Sequence, residues 1–194
     1  PGAPTAGVSI YAGGADNASY SAIDLSGDIE GASLALYTQG SIHLRDGDIT
    51  VTGDLFIGTY VDFLMDAGAT IDAGDDISIV AVNSLISQGD IAAGGDISLG
   101  LDPDFYLYTG FTAGPGDMVV GGNVTANGSI DITNAGAGDV YIDGTATLTA
   151  DADSTGGPDH IAIESYGQVI SAFGSTMFVG APGATTGDVS IVAA

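Results

Sequence analysis

Gly53-Asp54-Leu55-Phe56-Ile57, Gly74-Asp75-Asp76-Ile77-Ser78-Ile79 and Gly95-Asp96-Ile97-Ser98-Leu99 carry the pattern from which the architecture follows. These copies recur at a fixed interval, and the same frame continues at Gly116 and, one position late, at Gly138. Behind each glycine sits an alternating apolar pair: Leu55/Ile57, Ile77/Ile79, Ile97/Leu99, Met118/Val120 and Val140/Ile142. Further copies lie outward. Gly7 leads Val8/Ile10, Gly31 leads Leu34/Leu36, His160 leads Ile161/Ile163 and Gly187 leads Val189/Ile191. Self-similarity at a fixed period, here about 21 residues, is the mark of a repeat architecture.

Two looser ladders run between these pairs. One is Ile49/Val51, Ile71, Ile91 and Ile130/Ile132; the other is Tyr60/Phe63, Val82/Leu85, Val124 and Ala146/Leu148. Each period thus holds three short apolar segments alternating at period two, the signal of half-buried strands, with no helical period. Three strands in each period of about 21 residues is the arithmetic of an all-β parallel β-helix, a solenoid of about nine rungs. In that coil Leu55, Ile77, Ile97, Met118 and Val140 pile into one inward column. Glycine permits the corners, and corner Asp and Asn bond to their own backbone. The chain reads as a single domain, 1–194. Irregular segments at 101–115, 151–159 and 171–186 project as loops, where binding residues concentrate.

Composition narrows the function. The 194 residues carry 25 acids, all but two of them Asp, against one Arg and no Lys, for a net charge of −24. A single cation does not neutralise a phosphate backbone, so nucleic-acid binding is excluded; docking on anionic lipid falls for the same reason. No apolar run is long enough to span a bilayer as a helix. Without Cys there is neither a disulfide framework nor a thiolate metal site. Hydrophobic residues make up 45% of the chain and charged residues 13%. That balance buries a core and argues against disorder. The self-repulsion of the acids calls for salt or divalent cations. A chain with one Arg offers trypsin-like proteases little to cut, which suits an extracellular or cell-surface protein. Pro1-Gly2-Ala3-Pro4 lacks the features of a signal peptide, so a mature product, an excised piece or export without a cleaved leader is expected. Ser190-Ile191-Val192-Ala193-Ala194 ends in mid-pattern, without a cap.

Gly94-Gly95-Asp96-Ile97-Ser98-Leu99, Gly128-Ser129-Ile130-Asp131-Ile132-Thr133 and Gly187-Asp188-Val189-Ser190-Ile191-Val192-Ala193-Ala194 resemble the repeats of filamentous-haemagglutinin-like exoproteins and autotransporter passengers of Gram-negative bacteria. The resemblance covers most of residues 27–194. It implies a right-handed β-helix, a place at the cell surface, and action as an adhesin or extracellular filament. It carries over no catalytic residue.

Candidate chemistry is sparse. Asp75-Asp76 looks like the acid pair of a β-helical glycoside hydrolase. Its basic and His companions are missing, so corner Asp is the better reading. Arg45 beside His43 is the one basic residue for a lyase, and His43 and His160 lie on rungs too far apart to meet. No catalytic residue is assigned and no enzyme is expected. Calcium has the best pattern. Asp151, Asp153, Thr155 and Asp159 offer hard oxygens at near-alternate positions, against the plainer reading of a solvated turn. Asp46-Gly47-Asp48 and Asp102-Pro103-Asp104 are lesser candidates. Phe105, Tyr106 and Tyr108 form a candidate partner- or sugar-binding patch, or else cover an exposed strand edge. The function expected is structural: a segment or subunit of a bacterial extracellular adhesin or filament, assembling end to end or continuing into further repeats. The alternatives are a β-helix that binds or degrades polysaccharide, on a host or matrix glycan, and a calcium-dependent matrix or surface-layer component.

Overall fold

The computed structural model describes residues 7–12, 22–102, 116–153, 159–180 and 187–193. Along them the chain winds through short strands. The first winding is β1 (Val8–Ala12), β2 (Ile23–Ser26) and β3 (Ile29–Gly31); the second is β4 (Leu34–Thr38) and the long β5 (Ile42–Val51). The third is β6 (Leu55–Thr59), β7 (Asp62–Met65) and β8 (Ala69–Ala73), the fourth β9 (Ile77–Ala81), β10 (Ser84–Ser87) and β11 (Asp90–Ala93). Then come β12 (Ile97–Leu101), β13 (Met118–Val120) and β14 (Asn123–Ala126), followed by β15 (Ile130–Asn134), β16 (Val140–Ile142) and β17 (Thr147–Ala150). The seventh winding is β18 (His160–Ser165), β19 (Val169–Ser171) and β20 (Thr176–Val179), and β21 (Asp188–Ala193) opens an eighth.

Every strand pairs in parallel with its counterpart one winding away, which makes the chain a parallel β-helix with three faces. Face A stacks β1, β4, β6, β9, β12, β15, β18 and β21. Face B runs from β2 through β5 to β19, and face C from β3 through β5 to β20. β5 belongs to both because it turns the B/C corner without a break. Gly47 (φ 108°) makes that bend against Gly27 (φ 122°), where a Cβ on Gly47 would lie 2.6 Å from the Gly27 carbonyl. Only glycine combines that φ with so close an approach.

Inward residues repeat at period two and stack by register. On face A, Leu36, Ile57, Ile79, Leu99, Ile132 and Ile163 form one column with no exposed surface. Phe63, Leu85, Met118 and Val140 form a buried column on face B, and Ile71, Ile91, Val124 and Leu148 another on face C. Burying one such side chain contributes about 1.5–3 kcal/mol. The core is therefore one continuous apolar spine.

The expected single column splits in two. Leu55, Ile77 and Ile97 do stack on face A, but Ile130 follows them, while Met118 and Val140 continue the Phe63/Leu85 column of face B. The cause is the stretch after Leu101. It is inserted between faces A and B, and its length makes the interval from Ile97 to Met118 equal to that of a full turn. All three ladders are right up to Leu101 and displaced by one face from Met118 to Leu148, after which Ile161/Ile163 and Val189/Ile191 return to face A as expected. The face-A steps from Leu55 to Ile77 and from Ile77 to Ile97 are nearly equal, whereas the next, from Ile97 to Ile130, is half as long again. The described residues accordingly hold eight strands of face A, where a uniform period gives nine. Of the expected irregular segment 171–186, residues 171–180 hold the end of β19 and β20, and residues 181–186 lie outside the described residues.

Candidate functional site

The acids are organised by the corners. Directly before the first inward residue of the five successive face-A strands β6, β9, β12, β15 and β18 lie Asp54, Asp76, Asp96, Ser129 and His160, one above another. The backbone N–H of Asp76 donates to Asp54 Oδ1 (3.3 Å), that of Asp96 to Asp76 Oδ1 (2.9 Å), and that of Ser129 to Asp96 Oδ1 (2.7 Å). His160 N–H closes the series on Ser129 Oγ at 3.2 Å. The other two corners repeat the device. Asp139 and Gln168 N–H donate to Asp117 and Asp139 Oδ1 (3.0 and 2.8 Å), while Asp48 and Asn123 N–H donate to Asp28 and Asp90 Oδ1 (3.1 and 2.8 Å). Sequence reasoning has corner acids bonding their own backbone. Most instead reach the next winding, because a corner turns the peptide N–H out of the strand ladder and Asp is short enough to meet it. Asp143 keeps the local form, accepting from Thr145 N–H at 2.9 Å and Oγ1 at 2.7 Å, and these bonds hold its pKa below the usual value.

This geometry accounts for Gly95 and Gly128, whereas Gly53, Gly74, Gly89 and Gly116 stand closest to a backbone carbonyl of the neighbouring winding. A Cβ on Gly95 would lie 2.1 Å from Asp76 Oδ1, and one on Gly128 would lie 2.1 Å from Asp96 Oδ1. The glycine of one winding leaves room for the carboxylate of its neighbour. The repeat spacing puts Asp75 in the slot that carries Asp in other windings; the register puts Asp76 there, between Asp54 and Asp96, so the corner reading holds with the acid one residue later.

The basic groups are paired with acids. Arg45 binds Asp24 through Nε (2.7 Å to Oδ1) and Nη2 (2.9 Å to Oδ2); the Arg45 hydrogen bond lowers the Asp24 pKa and raises its own. His43 Nε2 meets Asp66 Oδ1 at 3.0 Å, and His160 Nε2 meets Asp131 Oδ1 at 3.1 Å. The two histidines stand on the second and seventh windings and do not converge.

Of the calcium candidates, Asp151 is 2% exposed and sits in the left-handed region (φ 51°), where it starts the excursion that leaves β17. Its N–H donates to Gly128 O at 3.1 Å. Asp153 is exposed, Asp159 half-buried, and Thr155 lies outside the described residues. Among the described residues no three His, Asp or Glu side chains converge as a metal centre needs. Phe105, Tyr106 and Tyr108 also lie outside the described residues.

A shallow groove of about 350 Å³ opens at the A/B corner between Thr133, Asn134, Ala135, Glu164, Ser165, Tyr166 and Val192. Its floor is tied down. Asn134 Nδ2 donates to Gly116 O (3.1 Å) and Ser165 Oγ to Gly138 O (3.2 Å). Among the described residues Glu164 is the one acid lining it.

No family model, curated protein or solved structure matches this chain. Its functional reading rests on its own surfaces.

Two outer surfaces escape the sequence reading. On face A, Tyr11 and Tyr37 stack with centroids 5.4 Å apart at 10°, and Tyr60 meets Tyr37 edge-on at 5.4 Å. Gly58 lies beneath, within 3.0–3.2 Å of the Phe56 and Tyr37 rings once given a Cβ. On face B, beside the paired Asp62 and Ser84, one outward residue of each strand forms the register Asp24, His43, Leu64, Ile86, Val119, Tyr141, Ile170. The last five make an apolar ridge over consecutive windings. The first four of these are half-buried, and Ile170 is 37% exposed. The sequence did carry this signal: Phe63-Leu64-Met65, Leu85-Ile86-Ser87 and Met118-Val119-Val120 break the apolar–polar alternation.

Proposed function

We propose that this chain is a structural and interaction module, a β-helical stretch of a bacterial extracellular adhesin or surface filament that acts through its length and outer faces. One observation carries the reading. Inward residues are sealed in the middle of the coil and uncovered at its two described ends: Val8 and Ile10 are 40% and 37% exposed, and Val189 and Ile191 are 47% and 50% exposed. Edge strands with free backbone groups and apolar inward faces are templates for further pairing. The two ends also match in pattern, Val8-Ser9-Ile10 against Val189-Ser190-Ile191. A further winding, from more repeats or from a second copy, covers either end, while the acidic sides keep rods apart. The composition that spares it from tryptic cleavage fits the extracellular setting, and the repeat resemblance points the same way.

Sedimentation velocity and negative-stain microscopy test this. End-to-end growth into rods is expected, abolished by Ile10→Asp and by Ile191→Asp. Eight face-A strands at about 4.8 Å span roughly 3–4 nm, so uniform particles of that length at every concentration overturn the assembling form of the proposal.

The aromatic cluster on face A favours a second reading, polysaccharide binding, since stacked rings present flat apolar area with polar rims. A glycan array that retains its hits after Tyr11→Ala and Tyr37→Ala counts against it.

A further inference from the structure

Face B differs from the other outer faces. Outward positions on face A mix Tyr37, Phe56 and Val80 with Ser78, Ser98 and Asp131, and those on face C carry Thr50, Asp72, Ala92 and Thr125. On face B they carry Leu64, Ile86, Val119, Tyr141 and Ile170, stacked by register along the coil axis. Both flanks of this ridge are acidic. Asp62, Asp117 and Asp139 precede the inward residues of their strands on one side, and Asp66 and Asp143 follow on the other. Tyr141 Oη donates to Asp139 Oδ2 at 3.1 Å, which ties the ridge to its acidic border.

We propose that this ridge is a docking surface for an amphipathic α-helix of a partner protein, lying along the coil axis with an apolar seam on the ridge and Lys or Arg on both sides. Charge selects the class of partner. A second copy of this chain laid face to face would set these carboxylates against their equals, and its single Arg is already engaged by Asp24. A cationic partner gains where a copy loses. Spacing selects the helix. Ridge residues step by about 4.8 Å, the separation of neighbouring strands. The seam of an α-helix advances one contact per 3.5 residues, or about 5.3 Å at 1.5 Å per residue. An extended strand places same-side residues about 6.8 Å apart and drifts out of step after two windings. Five ridge residues span about 19 Å, which a helix of roughly 13 residues covers. The inference is independent of whether the coil assembles end to end.

The test uses a synthetic 16-residue peptide with Leu on the heptad seam and Lys beside it. A second peptide of the same composition is scrambled so that no seam exists. Titration calorimetry of the whole chain with each peptide is repeated with Ile86→Ser and Val119→Ser together. Those positions point outward, and circular dichroism checks that the fold is kept. The seam peptide is expected to bind with 1:1 stoichiometry and to weaken about tenfold or more in the double variant, a loss of about 1.4 kcal/mol. The scrambled peptide is expected to bind weakly and without regard to the variant. Equal binding of both peptides shows charge attraction alone and overturns the proposal. So does unchanged affinity in the variant, or no binding to the wild type, as when the ridge is already covered by the chain itself.

Discussion

Replacing Gly95 by Ala tests whether this glycine exists to admit the carboxylate of the neighbouring winding. The added Cβ would stand 2.1 Å from Asp76 Oδ1. Asp76 must swing away and surrender its 2.9 Å bond to the Asp96 N–H. That bond lies at an exposed corner, where water takes over the freed N–H, so its loss costs about 1 kcal/mol. Alanine also stiffens the unfolded chain, which stabilises by about 0.4–1 kcal/mol, since the φ of Gly95 lies outside the left-handed region. The single variant is therefore close to neutral. In an Asp76→Ala background the carboxylate clash is gone, leaving the Asp75 carbonyl carbon at 3.3 Å as the nearest atom, and Gly95→Ala stabilises by up to about that same 0.4–1 kcal/mol. The double-mutant cycle should give a coupling of about 1 kcal/mol, well above the additivity error of about 0.3–0.5. Urea unfolding followed by two independent probes measures it, because coils of repeats can lose two-state behaviour. Amide exchange at Asp96 should quicken in Gly95→Ala. A coupling within that error, with exchange unchanged, refutes the reasoning. Gly94→Ala is the contrast: its Cβ would stand 2.0 Å from the Gly74 carbonyl oxygen, a backbone atom that has no rotamer to escape into, so it destabilises in either background.

Three further outcomes follow from the same geometry. Ile79→Ala, at a site with no exposed surface, should cost about 2–5 kcal/mol in urea unfolding. Ile191→Ala, at 50% exposure, should cost under about 1 kcal/mol. Arg45→Gln should return the depressed Asp24 pKa towards its usual value in a carboxyl NMR titration. A depressed folded pKa gives stabilisation that is present above the unfolded pKa and lost as pH falls through the folded one, so this variant should shed that part of the acid dependence, and an unmoved Asp24 titration contradicts it. Sodium chloride should raise the urea midpoint, because acids stacked one winding apart lie well within the Debye length of about 10 Å at 0.1 M; a midpoint that falls with salt contradicts net repulsion.

Period and alternation were enough to specify the fold class. Val, Ile and Leu at every second position, punctuated by Gly-Asp, have one economical burial, in which identical segments stack and share a core; that choice is local and repeats along the chain. The same reading took the Asp75-Asp76 pair for corner acids, one residue out on which of them fills the repeat slot, and kept His43 and His160 apart. Assignment of segments to faces failed from Met118 to Leu148 and held again at Ile161 and Val189, because periodicity counts residues and an insertion as long as the missing part of a turn leaves the count intact. Only hydrogen-bonded register distinguishes Met118 beneath Leu85 from Met118 beneath Ile97. The role of the carboxylates was equally hidden, since the N–H that Asp76 accepts belongs to a residue 20 positions away. The face-B ridge is composed of side chains from five separate windings. What is buried was written in the linear pattern, because neighbours along the chain carry it. Which acids and which outward apolar residues stand side by side was left to the packed coil, because adjacency across windings depends on the length of every intervening loop.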